Sequence, residues 1–232
     1  MRIWDIDPGF LNNQSLLGEH RELHGIASIL TNNKKGYRNH PETIRWQHSF
    51  SALLIRHYLQ VEEMIIRNYN HQSPIHPNET SVSWPTDYID SPDLQFELLQ
   101  NKYISKQSGR ILLPKNIQDL WSKHKYSVMA RNYNTYKTIG QKVAKLEISF
   151  SDLSHQLIIL LRSPPSEKAL KNSIYHMWGY VSPYSNSIPD SLSGSELIDE
   201  IRRLSLEHGV DYLIQSTAIG ELGYWCKKNL NI

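Results

Sequence analysis

Apolar positions along this chain recur at helical spacing. From Ser15 to Leu30 the set Leu16, Leu23, Ala27 and Leu30 falls on one face of a 3.6-residue period, after a turn made by Asp7-Pro8-Gly9. From Ser49 to Tyr69 the set Phe50, Leu54, Tyr58, Val61 and Ile65 marks a longer amphipathic helix. Residues 70–91 lose the period and collect Pro74, Pro77 and Pro85 with several Asn and Ser, which predicts a surface loop. A shorter helix is expected over Pro92–Tyr103, with its proline in the first turn.

Ser105-Lys106-Gln107-Ser108-Gly109 is polar and small, and a new pattern starts at Leu113-Pro114. This segment is the expected boundary between two helical domains, 1–108 and 109–232. Beyond it the periodicity predicts helices near 116–131, 133–146, 149–162, 166–178, 194–208 and 210–229. Ser193 followed by Glu196 is a capping-box signature for the fifth of these. Val and Ile sit within helical periods, and no Asn-Gly or Asp-Gly hairpin turn occurs. The expected fold class is all-α.

Composition narrows the setting. The chain has 232 residues, 39% of them hydrophobic, and a negative mean hydropathy, as in globular proteins. No apolar run approaches the roughly 20 residues needed to span a bilayer, and no partner membrane is expected. The start, Met1-Arg2-Ile3-Trp4-Asp5, lacks a signal-peptide core. One cysteine, Cys226, excludes an intrachain disulfide and any multi-cysteine metal site, so a reducing cytoplasm is the expected location. Residues 1–108 carry ten Lys/Arg against twelve Asp/Glu, and residues 109–232 fifteen against eleven. Neither half is basic enough to announce nucleic-acid binding by itself. Locally, Lys34, Lys35, Arg38, Arg45, Arg56 and Arg67 are opposed only by Glu42, Glu62 and Glu63, and Tyr37, Asn39, Trp46 and Gln47 stand among them. That mixture suits phosphates and stacked bases, and equally a solvated loop followed by a charged helix face.

The segment Gly18-Glu19-His20-Arg21-Glu22-Leu23-His24-Gly25 holds the candidate chemistry. Arg21 and Glu22 lie beside the buried Leu23 stripe, on a face that also carries Gly18, Gly25 and Ser28. Small residues there admit a close backbone: a packed helix, the chain's own start, or DNA. His20 and His24 stand at i, i+4, the spacing of a helical zinc pair. Metalloprotease helices, however, place Glu directly after the first His, and no third ligand is indicated, so neither a metal nor another cofactor is expected.

Met1-Arg2-Ile3-Trp4 followed by Leu17-Gly18-Glu19-His20-Arg21-Glu22-Leu23 resembles the start of the pyrimidine-dimer DNA glycosylases, the family of phage endonuclease V and its bacterial relatives. Lys34-Lys35-Gly36-Tyr37-Arg38-Asn39-His40-Pro41-Glu42 resembles a segment of the bacterial branch, and the likeness covers about residues 1–105. It implies a glycosylase and abasic-site lyase whose α-amine attacks the sugar C1′, with a helix glutamate stabilising the cation and shuttling protons. By resemblance these are the Met1 amine and Glu22. Arg2 and Arg21 would hold the strand at the reacting sugar, and Lys35, Arg38 and Arg45 flanking phosphates. The implied partner is double-stranded DNA with a damaged or modified base. The chain departs from the family where a further arginine aligns with Gly25 and a helix histidine with Ser15.

Residues 111–181 resemble a helical domain of unknown function also found fused to thiouracil-desulfurase-like proteins, through Leu120–Tyr126, Tyr136–Gly140 and His176–Tyr180. His124, Lys125, Arg131, His176 and Tyr180 are candidates for a nucleic-acid groove there, against a packing role for both histidines. Two other readings stand beside a dimer glycosylase: a glycosylase for another modified base, such as hypermodified phage DNA in defence, and a non-catalytic helical DNA- or RNA-binding protein.

Overall fold

A computed structural model describes residues 2–76 and 81–229. Its elements are α1 (Asn13–Thr31), α2 (Pro41–Trp46), α3 (Phe50–Ile66), α4 (Pro92–Lys102), α5 (Ile117–Met129), α6 (Tyr133–Ala144), α7 (Phe150–Leu161), α8 (Glu167–Val181), α9 (Gly194–Glu207), α10 (Asp211–Ile214) and α11 (Ala218–Asn229). Among the described residues there is no strand, so the all-α expectation holds. No helix among them is long and apolar enough to cross a membrane.

Local chemistry sets most of the helix starts. Asn12, Asn116, Asn132, Ser149 and Ser166 each accept a bond from a backbone N–H in the first turn, and Ser193 and Glu196 form the expected capping box. Two elements differ from the periodic pattern. The six-residue α2 follows Pro41 and is too short to show a period. The single helix expected over 210–229 is broken at Gln215-Ser216-Thr217, where the Thr217 N–H and hydroxyl both donate to the Lys123 carbonyl of α5.

The central helix is α3, which packs on α1 and α11. Its apolar stripe reaches solvent at Ile65, whereas Arg56, His57, Gln60, Glu62 and Glu63 are buried. Each buried charge has a partner from another part of the chain. Arg56 forks onto Glu19 of α1, with N–O distances of 2.7 and 2.9 Å. Glu63 receives Arg67 and Arg110, and Glu62 receives Arg202 of α9 and Lys227 of α11. Buried charges are tolerated because they are paired and hydrogen-bonded.

Three apolar clusters fill the interior. One joins Ile3 to Leu23, Ile26, Trp46, Phe50 and Leu53, within the first half of the chain. The other two cross the expected boundary: Phe10, Leu16 and Leu99 pack with Leu120, Ile139 and Leu153, and Ile55 and Ile66 pack with Met177, Ile201 and Leu222. The boundary segment is itself docked. The Ile111 N–H donates to the Gly9 carbonyl, and a side chain at Gly109 would come within 2.5 Å of that same oxygen. Only glycine fits where those two backbones pass.

Candidate active site

The first residues of the chain have no strand to pair with, so their backbone amides are satisfied by side chains. Ile3 N–H donates to Glu42 Oε1 (3.0 Å), Trp4 N–H to Glu19 Oε1 (3.2 Å) and Asp5 N–H to Gln95 Oε1 (2.8 Å). The three acceptors come from α2, α1 and α4 and are all buried. Each is held in turn: Glu19 by Arg56, Glu42 by Arg45, and Gln95 by its bonds to Asp5 and the Asp90 carbonyl. Arg56 also donates to the Ile6 carbonyl. Orphan N–H groups in a buried extended segment would be costly, and here none of the three is left over. The segment is thereby fixed along α1 from Trp4, at Glu19, to Ile3, in the cluster of Leu23 and Ile26.

Glu22 lies one turn beyond Glu19 on α1. It is half-buried and, among the described residues, forms no ion pair or hydrogen bond, so its carboxylate is uncommitted. Ser15 lies on the same stripe two turns earlier, and its hydroxyl accepts from the Lys102 ammonium of α4 (3.0 Å). Burial, with Lys106 and Arg2 nearby, holds the Lys102 amine below the ordinary lysine range. Arg2 pairs with Asp90 and lies over the Trp4 ring at 4.2 Å. The Met1 position assigned to the nucleophile lies outside the described residues.

The outer face of α1 is open. Among the described residues, a Cβ added at Gly18 or Gly25 would meet nothing within 4 Å, so no described segment uses the space those glycines leave. Arg21 is exposed on this face and folds back to the Leu17 carbonyl. At the far end of α1 the Lys34 ammonium donates to Ser28 Oγ (2.7 Å), which anchors the basic loop. Lys35, Tyr37 and Arg38 are exposed on it, with Arg38 bonded to Asn33. A cleft of about 300 Å³ opens beside the loop, lined by Thr31, Asn33, Arg38, Thr43 and Gln47.

One residue expected on this surface is elsewhere. Arg45, read from the sequence as a phosphate contact, has a side chain only 4% exposed. Its guanidinium bonds the Asp87 and Ile3 carbonyls, Glu42 and Asp5, so it is enclosed by protein and acts on the N-terminal segment. Trp46 beside it is core. In the second half, Arg131 is likewise bound to Glu221 and to three backbone carbonyls, and His124 is buried against Phe10 with its Nδ1 at the Leu120 carbonyl. His124 takes the packing role, and burial pushes it down to about 4. His176 is exposed in a separate cleft with Asn132, Tyr133 and Lys168, while Lys125 lies over the Tyr212 ring, which stacks on Tyr180.

On the opposite flank of α1 from Glu22, His20 and His24 meet two residues that the sequence pattern did not bring to them, His57 of α3 and His71 beyond it. One ring nitrogen from each of the four lies within 4.8 Å of the other three. Burial lowers all four, and neighbouring histidines lower His20, His24 and His57 further, His57 to about 3 and His20 to about 4, so the rings are neutral at physiological pH. The sequence signal for this cluster is compositional: seven of the eleven histidines precede residue 77.

Two family models match separate segments of the chain. Residues 1–77 match the family model described as pyrimidine dimer DNA glycosylase, and residues 125–188 match one described as protein of unknown function (DUF1722). No curated protein and no solved structure matches the chain. The first match covers the amide-clamped segment, α1, the basic loop and α3.

Proposed function

We propose that the protein is a DNA glycosylase and abasic-site lyase in which the Met1 α-amine is the nucleophile and Glu22 the acid/base group. A free α-amine has a pKa of about 7.7–8.0, so part of it is neutral and nucleophilic near pH 7. Its nitrogen bonds to the sugar C1′ as the glycosidic bond breaks, and the base leaves with the bonding pair and takes up a proton. Ring opening gives a cationic imine. Loss of the C2′ proton then expels the 3′ phosphate by β-elimination. Glu22 lies against the cation, which its charge stabilises, and it accepts and returns the protons.

The observation that carries this reading is the clamp on three successive amides. It orders the chain up to Ile3 along the α1 stripe that bears Glu22, and a nucleophile gains most from such fixed placement. The open glycine face and the exposed basic loop support a duplex lying along α1, with Arg2 and Arg21 at the reacting sugar and Lys35 and Arg38 on flanking phosphates. The description of the matching family supports damaged pyrimidines as the substrate class, and a weakened stack lowers the cost of extruding such a base.

Glu22→Gln tests the assignment. The uncommitted carboxylate predicts an unchanged melting temperature and a fall of about 10²–10⁴-fold in single-turnover excision. Excision near the wild-type rate would make Glu22 an ordinary surface residue.

A further inference from the structure

The four histidines on the other flank of α1 belong to no step of that chemistry. We propose that His20, His24, His57 and His71 form a binding site for one divalent first-row transition-metal ion, with Zn²⁺ as the ion it suits best. Imidazole is a favoured ligand of such ions, and four of them without a bound carboxylate fit a closed, tetrahedral, structural zinc site rather than a catalytic one.

The geometry is close to what an ion requires. Zinc–nitrogen bonds of about 2.0–2.1 Å place tetrahedral nitrogens roughly 3.3 Å apart. His24 Nε2 and His57 Nε2 are already 3.2 Å apart, and one nitrogen from each of the four rings lies within 4.8 Å of the others. Neighbouring ring centroids are 4.6–5.2 Å apart, so four rings converge on one point.

One nitrogen of the set supplies an independent observation. His20 is 8% exposed and its Nε2 has no hydrogen-bond partner. Buried polar atoms are normally satisfied, and ligation of a metal ion is one way to satisfy this one. Among the described residues none of the four rings is ion-paired, so no carboxylate competes for them.

The ligands also come from separate parts of the chain. α1 supplies two at i, i+4, α3 supplies one, and the segment after α3 supplies the fourth. An ion there would tie that segment down onto α1 and α3, which give Glu19 and its partner Arg56 to the N-terminal clamp. Glu22 points to the other side of α1, so the ion would brace the scaffold and take no part in base excision.

The test uses the full-length protein, stripped with chelator and then titrated with ZnCl₂ and, separately, CoCl₂. The expected result is uptake of a single ion per chain, a Co²⁺ ligand-field spectrum of a four-coordinate nitrogen site, and a Zn²⁺-dependent rise in Tm, since only the folded chain presents the site. His71→Gln and His24→Gln, both on partly exposed rings, should each weaken binding at least 10–100-fold, the loss that an outer-shell partner alone produces. His176→Gln, in the separate cleft, should leave binding unchanged. The proposal is overturned if folded, stripped wild-type protein takes up no stoichiometric ion, or if His71→Gln and His24→Gln bind as tightly as wild type. The wild-type titration decides the matter even should a variant fail to fold.

Discussion

Asp7 and Glu22 are both carboxylates of the first half, and their surroundings give them opposite behaviour. Glu22 is half-buried and, among the described residues, has no ion pair or hydrogen bond. Asp7 is partly buried, and burial together with the nearby Glu63 charge pushes it up to about 7, against the smaller pull of the Gly9 N–H and Arg110. The folded protein therefore holds a proton on Asp7 at pH values where the unfolded chain, at its ordinary 3.8, has released it. The Asp7 contribution to stability should be undiminished below about pH 4 and should fall as pH rises from there through about 7. The ceiling on this cost is about 4 kcal/mol. Asp7→Asn keeps the acceptor for the Gly9 N–H, at 2.8 Å in the wild type, and removes the charge. It should raise Tm by about 4–8 °C at pH 8, if half the ceiling is recovered, and by far less at pH 5. An equal shift at both pH values would show that Asp7 is ionised throughout. Roles of this kind were only partly legible. Glu22 and the small residues around it could be placed on one helix face by period alone. Glu19, Glu42, Gln95 and Arg56 were not readable as a clamp, because each is defined by a partner 15 to 90 residues away.

At the scale of elements, helix positions followed the apolar period closely, and the misses have physical causes. Six residues in α2 hold less than two turns, and the break before α11 depends on the Lys123 carbonyl, which belongs to another helix. α3 shows the period's main limit. Its polar side is as buried as its apolar one, since ion pairs to α1, α9 and α11 replace solvent there. The basic cluster illustrates the same point: Arg45 and Arg56 were drawn inside by carboxylates, and Lys35 and Arg38 stayed out on the loop. The loop's role in holding DNA is therefore testable through those two alone. Removing one phosphate-binding cation should reduce the slope of log K against log salt by roughly 0.9. Lys35→Ala and Arg38→Ala should weaken lesion-bearing and undamaged duplex equally, while Arg21→Ala should narrow the difference between them. Slopes unchanged in both loop variants, from titrations at several salt concentrations, would remove the loop from the DNA surface.

Over the whole molecule, the two matched segments are wired into one interior. Arg110, just past the expected boundary, binds Glu63 of the central helix and the Ile214 and Ser216 carbonyls, and two of the three apolar clusters contain residues from both sides. Composition and spacing indicated a change of pattern near residue 108, and could not indicate that the helices beyond it would cover α3 and α4. The second half thus supports the scaffold on which the N-terminal segment is clamped, whatever else it binds. Reductive trapping identifies the atom proposed to attack DNA. Borohydride added to the protein on duplexes carrying an abasic site or a pyrimidine dimer should reduce the imine to a stable crosslink. Peptide mapping should then place the adduct on the Met1 α-amine, and an N-terminal tag should abolish it. An adduct on Lys102, whose amine lies at Ser15 on the Glu22 stripe, or trapping that survives the tag, would contradict the claim.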